Sequence, residues 1–174
     1  GMVSSEGLAD FNYGWFEIRA RVPQGQGLWP ALWMSPSLDR YGSWPNSGEL
    51  DIMEVRGQDT AKARLNLHWT GADGERAQNP RDVRTAPGNS FSEQFHTFAM
   101  RWEPNQVIWM IDGLEVHRVE QWPSSVGPSP APFNEAFFFR INLAIGGDFT
   151  GNPDETTPWP ARFEVDYVRV FQTL

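Results

Sequence analysis

Cysteine is absent from the 174 residues. That excludes a disulfide framework, a zinc–thiolate site and a cysteine nucleophile, and it leaves both cytosol and secretion open. No apolar run approaches the ~20 residues that cross a bilayer as a helix. No basic stretch followed by an apolar one opens the chain, so the expectation is a signal peptide already removed or never carried. Positive charge is also in deficit: the formal net charge is −8 and the pI about 4.8. Nucleic acids and anionic membranes bind basic surfaces, so neither is expected as a partner. Long helices are not expected either, because 14 Pro and 16 Gly interrupt the chain. Aromatic residues, by contrast, are abundant: nine Trp and twelve Phe. An aromatic sandwich core and flat rings that stack on sugars both account for that excess.

Apolar alternation with period two recurs, and a period of 3.6 does not. In Trp15 to Val22 every even position is apolar, and a Pro/Gly turn follows at 23–27. Leu28 to Met34 is nearly continuous apolar sequence, as expected of a strand buried on both faces. Arg64 to Thr70 alternates, with Asn66 and His68 on one side. Residues 71–94 are polar and read as one long loop. Strands are expected over 95–103 and 106–111, then a primed turn at Asp112-Gly113 and a return strand over 115–119. Phe137 to Ile145 carries Phe137, Phe139, Ile141 and Leu143 on one face and Arg140 and Asn142 on the other. A second loop covers 146–160, and a closing strand runs over 163–171. The whole, residues 1–174, reads as one all-β domain, with a sandwich favoured.

One stretch stands out. Residues 48–57, GELDIMEVRG, place Glu49, Asp51 and Glu54 among Leu, Ile, Met and Val, with no Lys or Arg between the acids. On a strand Glu49 and Asp51 share a face. Glu54 has the opposite parity, and a one-residue bulge near Ile52-Met53 would return it to that face. Three close carboxylates repel and raise at least one pKa. Glycoside hydrolysis uses such a set: a carboxylate nucleophile and a carboxylic acid flank the scissile bond, and a third acid tunes them. A calcium site and a solvated acidic face remain alternatives at this point.

Gly48-Glu49-Leu50-Asp51-Ile52-Met53-Glu54 resembles the E-x-D-x-x-E signature of glycoside hydrolase family 16, in the bulged form of its laminarinase branch. Tyr13-Gly14 with Phe16-Glu17, the segment Gly27 to Met34, Trp44-Pro45-Asn46-Ser47, Trp102-Glu103-Pro104, Asn142 to Gly147 and Val165 to Val170 resemble family segments in the same order. The resemblance implies a β-jelly roll of two curved antiparallel sheets with a concave glucan cleft. It implies Glu49 as nucleophile, Asp51 as its helper and Glu54 as acid/base. His68 resembles a histidine near the cleaved sugar; Trp29, Trp33 and Trp44 resemble cleft tryptophans that stack on glucosyl rings. Arg140 and Asn142 face away from the Phe stripe and are candidates for hydrogen bonding in the cleft. Asp166 resembles a residue that holds a structural calcium. His96 and His117 are assigned structural roles.

Two departures stand out. Trp15 occupies a position where the family more often has Arg, a change at the cleft rim or at the surface. Gly1 to Ser5 resembles the interior of an early family strand, so the chain resembles a family domain without its N-terminal strands, with an edge open to association. The implied function is a secreted, monomeric, retaining endo-β-1,3-glucanase acting on laminarin-like polysaccharide, with mixed-linkage β-glucan as a further substrate. No cofactor is needed for its chemistry. The competing readings are a non-catalytic β-glucan-recognition module, a hydrolase of another polysaccharide such as agar, and a fragment with an incomplete cleft.

Overall fold

The computed structural model describes residues 1–172. Among them there are strands and turns and no helix. Seven strands build one sheet: β1 (Met2–Ser4), β3 (Leu28–Pro36), β4 (Glu49–Val55), β5 (Lys62–Thr70), β6 (Arg76–Gln78), β7 (Arg81–Arg84) and β11 (Phe137–Ile145). Their order is β1-β11-β3-β4-β5-β6, and β7 also pairs with β5. Five build the other, in the order β10-β9-β8-β2-β12: β2 (Gly14–Arg21), β8 (His96–Glu103), β9 (Gln106–Ile111), β10 (Leu114–Val119) and β12 (Glu164–Phe171). Every pairing is antiparallel. This is the all-β jelly-roll sandwich that the resemblance implied.

Period-two alternation explains the layering. Phe16, Ile18 and Ala20 of β2 and Phe98, Met100 and Trp102 of β8 point inward, against Leu32, Met34, Leu50, Leu67, Phe137 and Phe139 of the larger sheet. Each such side chain contributes about 1.5–3 kcal/mol when fully buried. The aromatic excess divides between core and surface. Trp69, Trp102, Trp109 and Trp122 are buried. Trp15 packs on Ala99, Ile108 and Met110 in a separate cluster, away from the cleft residues described below. At the β9–β10 turn, Asp112 and Gly113 have φ of 50° and 78°, as a primed turn requires. The Asp112 carboxylate meets His96 Nδ1 at 2.7 Å, and His117 stacks on Trp109 with ring centroids 5.0 Å apart. Both histidines thus have partners within the fold.

Two expectations need correction. Residues 71–94 are not one loop, because β6 and β7 lie within them and extend the sheet beside β5. Leu28–Pro36 is not buried on both faces: Trp29 and Trp33 are half-buried on the face opposite Leu32 and Met34. The seam between β1–β11 and β12 is open. A groove of about 770 Å³ there is lined by Met2, Val3, Ile141, Val165 and Val168 among others.

The expected bulge is present. Asp51 pairs with Asn66 and Glu54 with Arg64, so three steps on β4 match two on β5. The same irregularity appears against β3. Ile52 and Met53 are both buried, and Glu49, Asp51 and Glu54 line one cavity. The bulge is held from the opposite sheet, where the Trp109 indole N–H donates to the Asp51 carbonyl at 2.9 Å. Gly48 sets the approach to the strand. Its φ is +83°, and a Cβ there would lie 2.8 Å from the Phe133 ring. Trp109→Phe keeps an aromatic ring and deletes the donor. It is expected to cost about 1 kcal/mol or more, which is a Tm fall of roughly 2–8 °C in a thermal melt. An unchanged Tm would mean that the bulge holds without this bond.

Candidate active site

The cavity around the acidic strand has a volume of about 210 Å³ and is lined by Trp29, Ala31, Trp33, Glu49, Asp51, Glu54, Asn142 and Ala144. Three neighbouring strands supply it. β3 contributes the two tryptophans because its register sets Ala31 opposite Glu54 and Trp33 opposite Asp51. β11 contributes Asn142, which pairs across the ladder with Ala31. From β5, His68 pairs opposite Glu49 and reaches over the carboxylates. The backbone ladders thus fix which side chains can meet.

Each expected residue has a definite place. Trp29 donates its indole N–H to Glu54 Oε1 at 3.0 Å, so it holds the carboxyl as well as offering a ring. Trp33 donates to Asn142 Oδ1 at 2.7 Å. His68 Nε2 lies 3.2 Å from Asp51 Oδ2 and 3.7 Å from Glu49 Oε1. Trp44 is 49 % exposed, with its ring centroid 5.9 Å from that of His68. Arg140 lies apart from the carboxylates. With Trp44, Ser37, Asp39 and Glu6 it lines an adjoining cavity of about 310 Å³. Its guanidinium sits 5.1 Å from the Trp33 and Phe138 ring centroids, and its Nε is buried without a partner.

Other residues at the site carry no local signal in the sequence. Phe149, from the 146–160 loop, packs on Trp29 at 5.1 Å, and Arg56 lies over Phe149 at 4.3 Å. Arg76 of β6 lies over Trp44 at 4.8 Å and meets His68 Nδ1 at 3.3 Å. The fold brings these residues in: Arg76 by the register of β6, Arg56 just after β4 and Phe149 from a loop.

The calcium expected at Asp166 does not fit. Asp166 is the bulged residue of β12, and Arg19 Nη1 meets its carboxylate at 2.5 Å. Next to it Glu164 is paired with Arg21. A cation there would face two guanidinium groups. At the acidic strand, Glu49, Asp51 and His68 offer ligand atoms within 4.8 Å of one another. One imidazole and two carboxylates differ from the six to eight oxygens that calcium takes.

Burial dominates the electrostatics. Glu49 is pushed up to about 8, first by desolvation, then by the Asp51 and Glu54 charges, with His68 and the Trp44 indole opposing. Asp51 is raised well above the usual carboxylate range by burial and by Glu54, against Arg76. Glu54 is raised by burial, against the Trp29 hydrogen bond, His68 and Arg64. A carboxyl whose pKa is higher folded than unfolded favours the folded state below about pH 4.5, and that stability is lost as pH rises toward 8. One pKa unit corresponds to about 1.4 kcal/mol. Glu49→Gln removes the ionisation, so its Tm is expected to exceed the parent's clearly at pH 8 and little at pH 4.5. Equal gains at both pH values would contradict the burial argument.

Residues 1–168 match the family model described as glycosyl hydrolases family 16. The glucan endo-1,3-beta-glucosidase of Cryptopygus antarcticus is 39 % identical over 174 residues, covering 92 % of this chain and 63 % of that protein. Glucan endo-1,3-beta-glucosidase A1 of Niallia circulans is 35 % identical, covering 99 % of this chain and 26 % of its own length. The chain therefore spans less than two thirds of these curated relatives. The solved laminarinase catalytic domain of Thermotoga maritima superposes with a TM-score of 0.87 at 34 % identity, over 99 % of this chain and 69 % of that one. With the signature on a bulged strand at the centre of a matching fold, the chain belongs to glycosyl hydrolase family 16.

Proposed function

We propose that the chain is a retaining endo-β-1,3-glucanase acting on laminarin-like glucan outside the cell. The observation that carries this reading is the common wall of Glu49, Asp51 and Glu54, which a bulge brings to one cavity with Trp29 bonded to Glu54. The endo-1,3-glucanase names of the relatives support the linkage. The adjoining 310 Å³ cavity offers room for further sugar beyond the carboxylates, which supports attack within a chain.

In the first half-reaction, Glu49 attacks the anomeric carbon while Glu54 gives its proton to the leaving glycosidic oxygen. The C–O bond breaks as a glycosyl ester forms on Glu49. In the second, Glu54 takes a proton from water, the hydroxide oxygen bonds to the anomeric carbon, and Glu49 leaves as carboxylate. Two inversions retain the β configuration. The elevated pKa of Glu54 suits the acid role at neutral pH. Glu49 must be ionised to attack. The positive charge that develops on the sugar ring favours that form, as does the electrostatic influence of His68, whose Nε2 lies 3.7 Å from Glu49 Oε1. Asp51, between the two and 3 % exposed, buffers the exchange of charge. Trp29, Trp33 and Trp44 supply ring faces, and Asn142 and Arg140 supply hydrogen bonds to hydroxyls. A recognition module without activity has no use for three desolvated carboxylates, each of which costs stability.

The test is reducing-sugar release from laminarin by the parent and by Glu49→Gln. The expected result is activity in the parent and a loss of about 10³-fold or more in the variant. A folded parent with no activity, or a variant as active as the parent, would refute the reading.

A further inference from the structure

Arg76 belongs to none of the motifs in the sequence, yet it touches two parts of the site. It sits on β6, paired across the ladder with Thr70, so its side chain projects over the β5 end of the cleft. There its guanidinium covers the Trp44 ring at 4.8 Å, and Nη2 lies 3.3 Å from His68 Nδ1. A guanidinium can only donate. The ring nitrogen facing it must therefore accept, and a neutral imidazole that accepts at Nδ1 carries its proton at Nε2.

We infer that Arg76 is the positioning residue that fixes His68 in its Nε2–H tautomer, with Nε2 3.2 Å from Asp51 Oδ2 and 3.7 Å from Glu49 Oε1. The surroundings agree at three points. Asp51 Oδ2 is buried without a hydrogen-bond partner, and His68 Nε2 is a nitrogen 3.2 Å from it, close enough to act on its charge. The Asn66 amide lies 2.9 Å from the same nitrogen. With Nε2 protonated, the amide oxygen must face the ring. That turn exchanges the two amide atoms, so Oδ1, buried without a partner in the other setting, meets the ring, and Nδ2 takes its former place. Gln78, 3.2 Å from Asn66, then donates to that same oxygen once its own amide is turned. Finally, burial and the nearby Arg76 and Arg64 charges lower the His68 pKa against the pull of Glu49 and Glu54, which keeps the ring neutral.

The consequence rests on the hydrolase reading above. A neutral ring with its Nε2 proton on the carboxylate side stands near Asp51 and Glu49 without pairing the nucleophile to a full positive charge. Arg76 also braces the exposed Trp44 ring, so one side chain joins the cleft rim to the reacting carboxylates. Without it the proton can sit on Nδ1, and Nε2 then presents a lone pair to two carboxylates.

The chain has three histidines, so ¹⁵N-histidine labelling resolves each ring. In the parent, His68 is expected to show an unprotonated Nδ1 and a protonated Nε2. Arg76→Met is expected to lose that preference and to lower kcat on laminarin by roughly 10-fold, the scale on which a partner behind a functional histidine is felt. Arg76→Lys retains a donor and should restore the tautomer and most of kcat. A parent with the proton on Nδ1 would overturn the assignment. So would an Arg76→Met protein with tautomer and kcat both unchanged. The tautomer is read without substrate, so a failure on laminarin alone would count against the hydrolase reading and not against this one.

Discussion

The one-residue bulge in β4 is the constraint on which the site depends. Side chains on a regular strand alternate between two faces, so Glu54 would otherwise point into a core of Leu, Phe and Trp. Two residues, Ile52 and Met53, are buried in succession instead, and the acid returns to the cavity. The carbonyl at the irregularity is held by Trp109 from the facing sheet. The catalytic wall of one sheet is thus set by the core of the other. Cleft geometry and sandwich packing are one problem for this sequence.

Desolvation gives the acidic strand its chemistry. No Lys or Arg stands within GELDIMEV, and the groups that temper it come from other strands: Arg64 from β5 and Arg76 from β6, with the Trp29 indole N–H and the His68 imidazole. These partners stop short of neutralising the site, and the carboxyls stay above their ordinary pKa range. Such an arrangement opposes folding at neutral pH, and the aromatic core offsets that cost.

Much of this was legible in the sequence, and the parts that were not share a cause. Period-two alternation located the long strands, and the parity of Glu54 alone implied the bulge. Alternation could not locate β6 and β7, because RAQ and RDVR are too short to show a period and carry one core-facing apolar residue each, Ala77 and Val83; their pairing to β5 defines them. The apolar run at Leu28 read as doubly buried because Trp counts as apolar there, whereas Trp29 and Trp33 use the cleft face. The same limit hid Trp109, Arg76 and Phe149, whose roles depend on contacts between segments distant in sequence. Asp166 matched a motif, yet its bulge turns it toward Arg19. A motif names residue types, while register decides what they meet.

The most direct test of the account is to trap the glycosyl-enzyme with an activated 2-deoxy-2-fluoro glycoside of a β-1,3-linked oligosaccharide. The electron-withdrawing fluorine destabilises the positively charged transition states, so the adduct persists for digestion and mass analysis. The account predicts one sugar per chain, esterified to Glu49 and absent from the Glu49→Gln variant. An adduct on Asp51 or Glu54 would contradict the assignment of roles along the bulged strand. Hydrolysis with inversion at the anomeric carbon would contradict the double displacement itself.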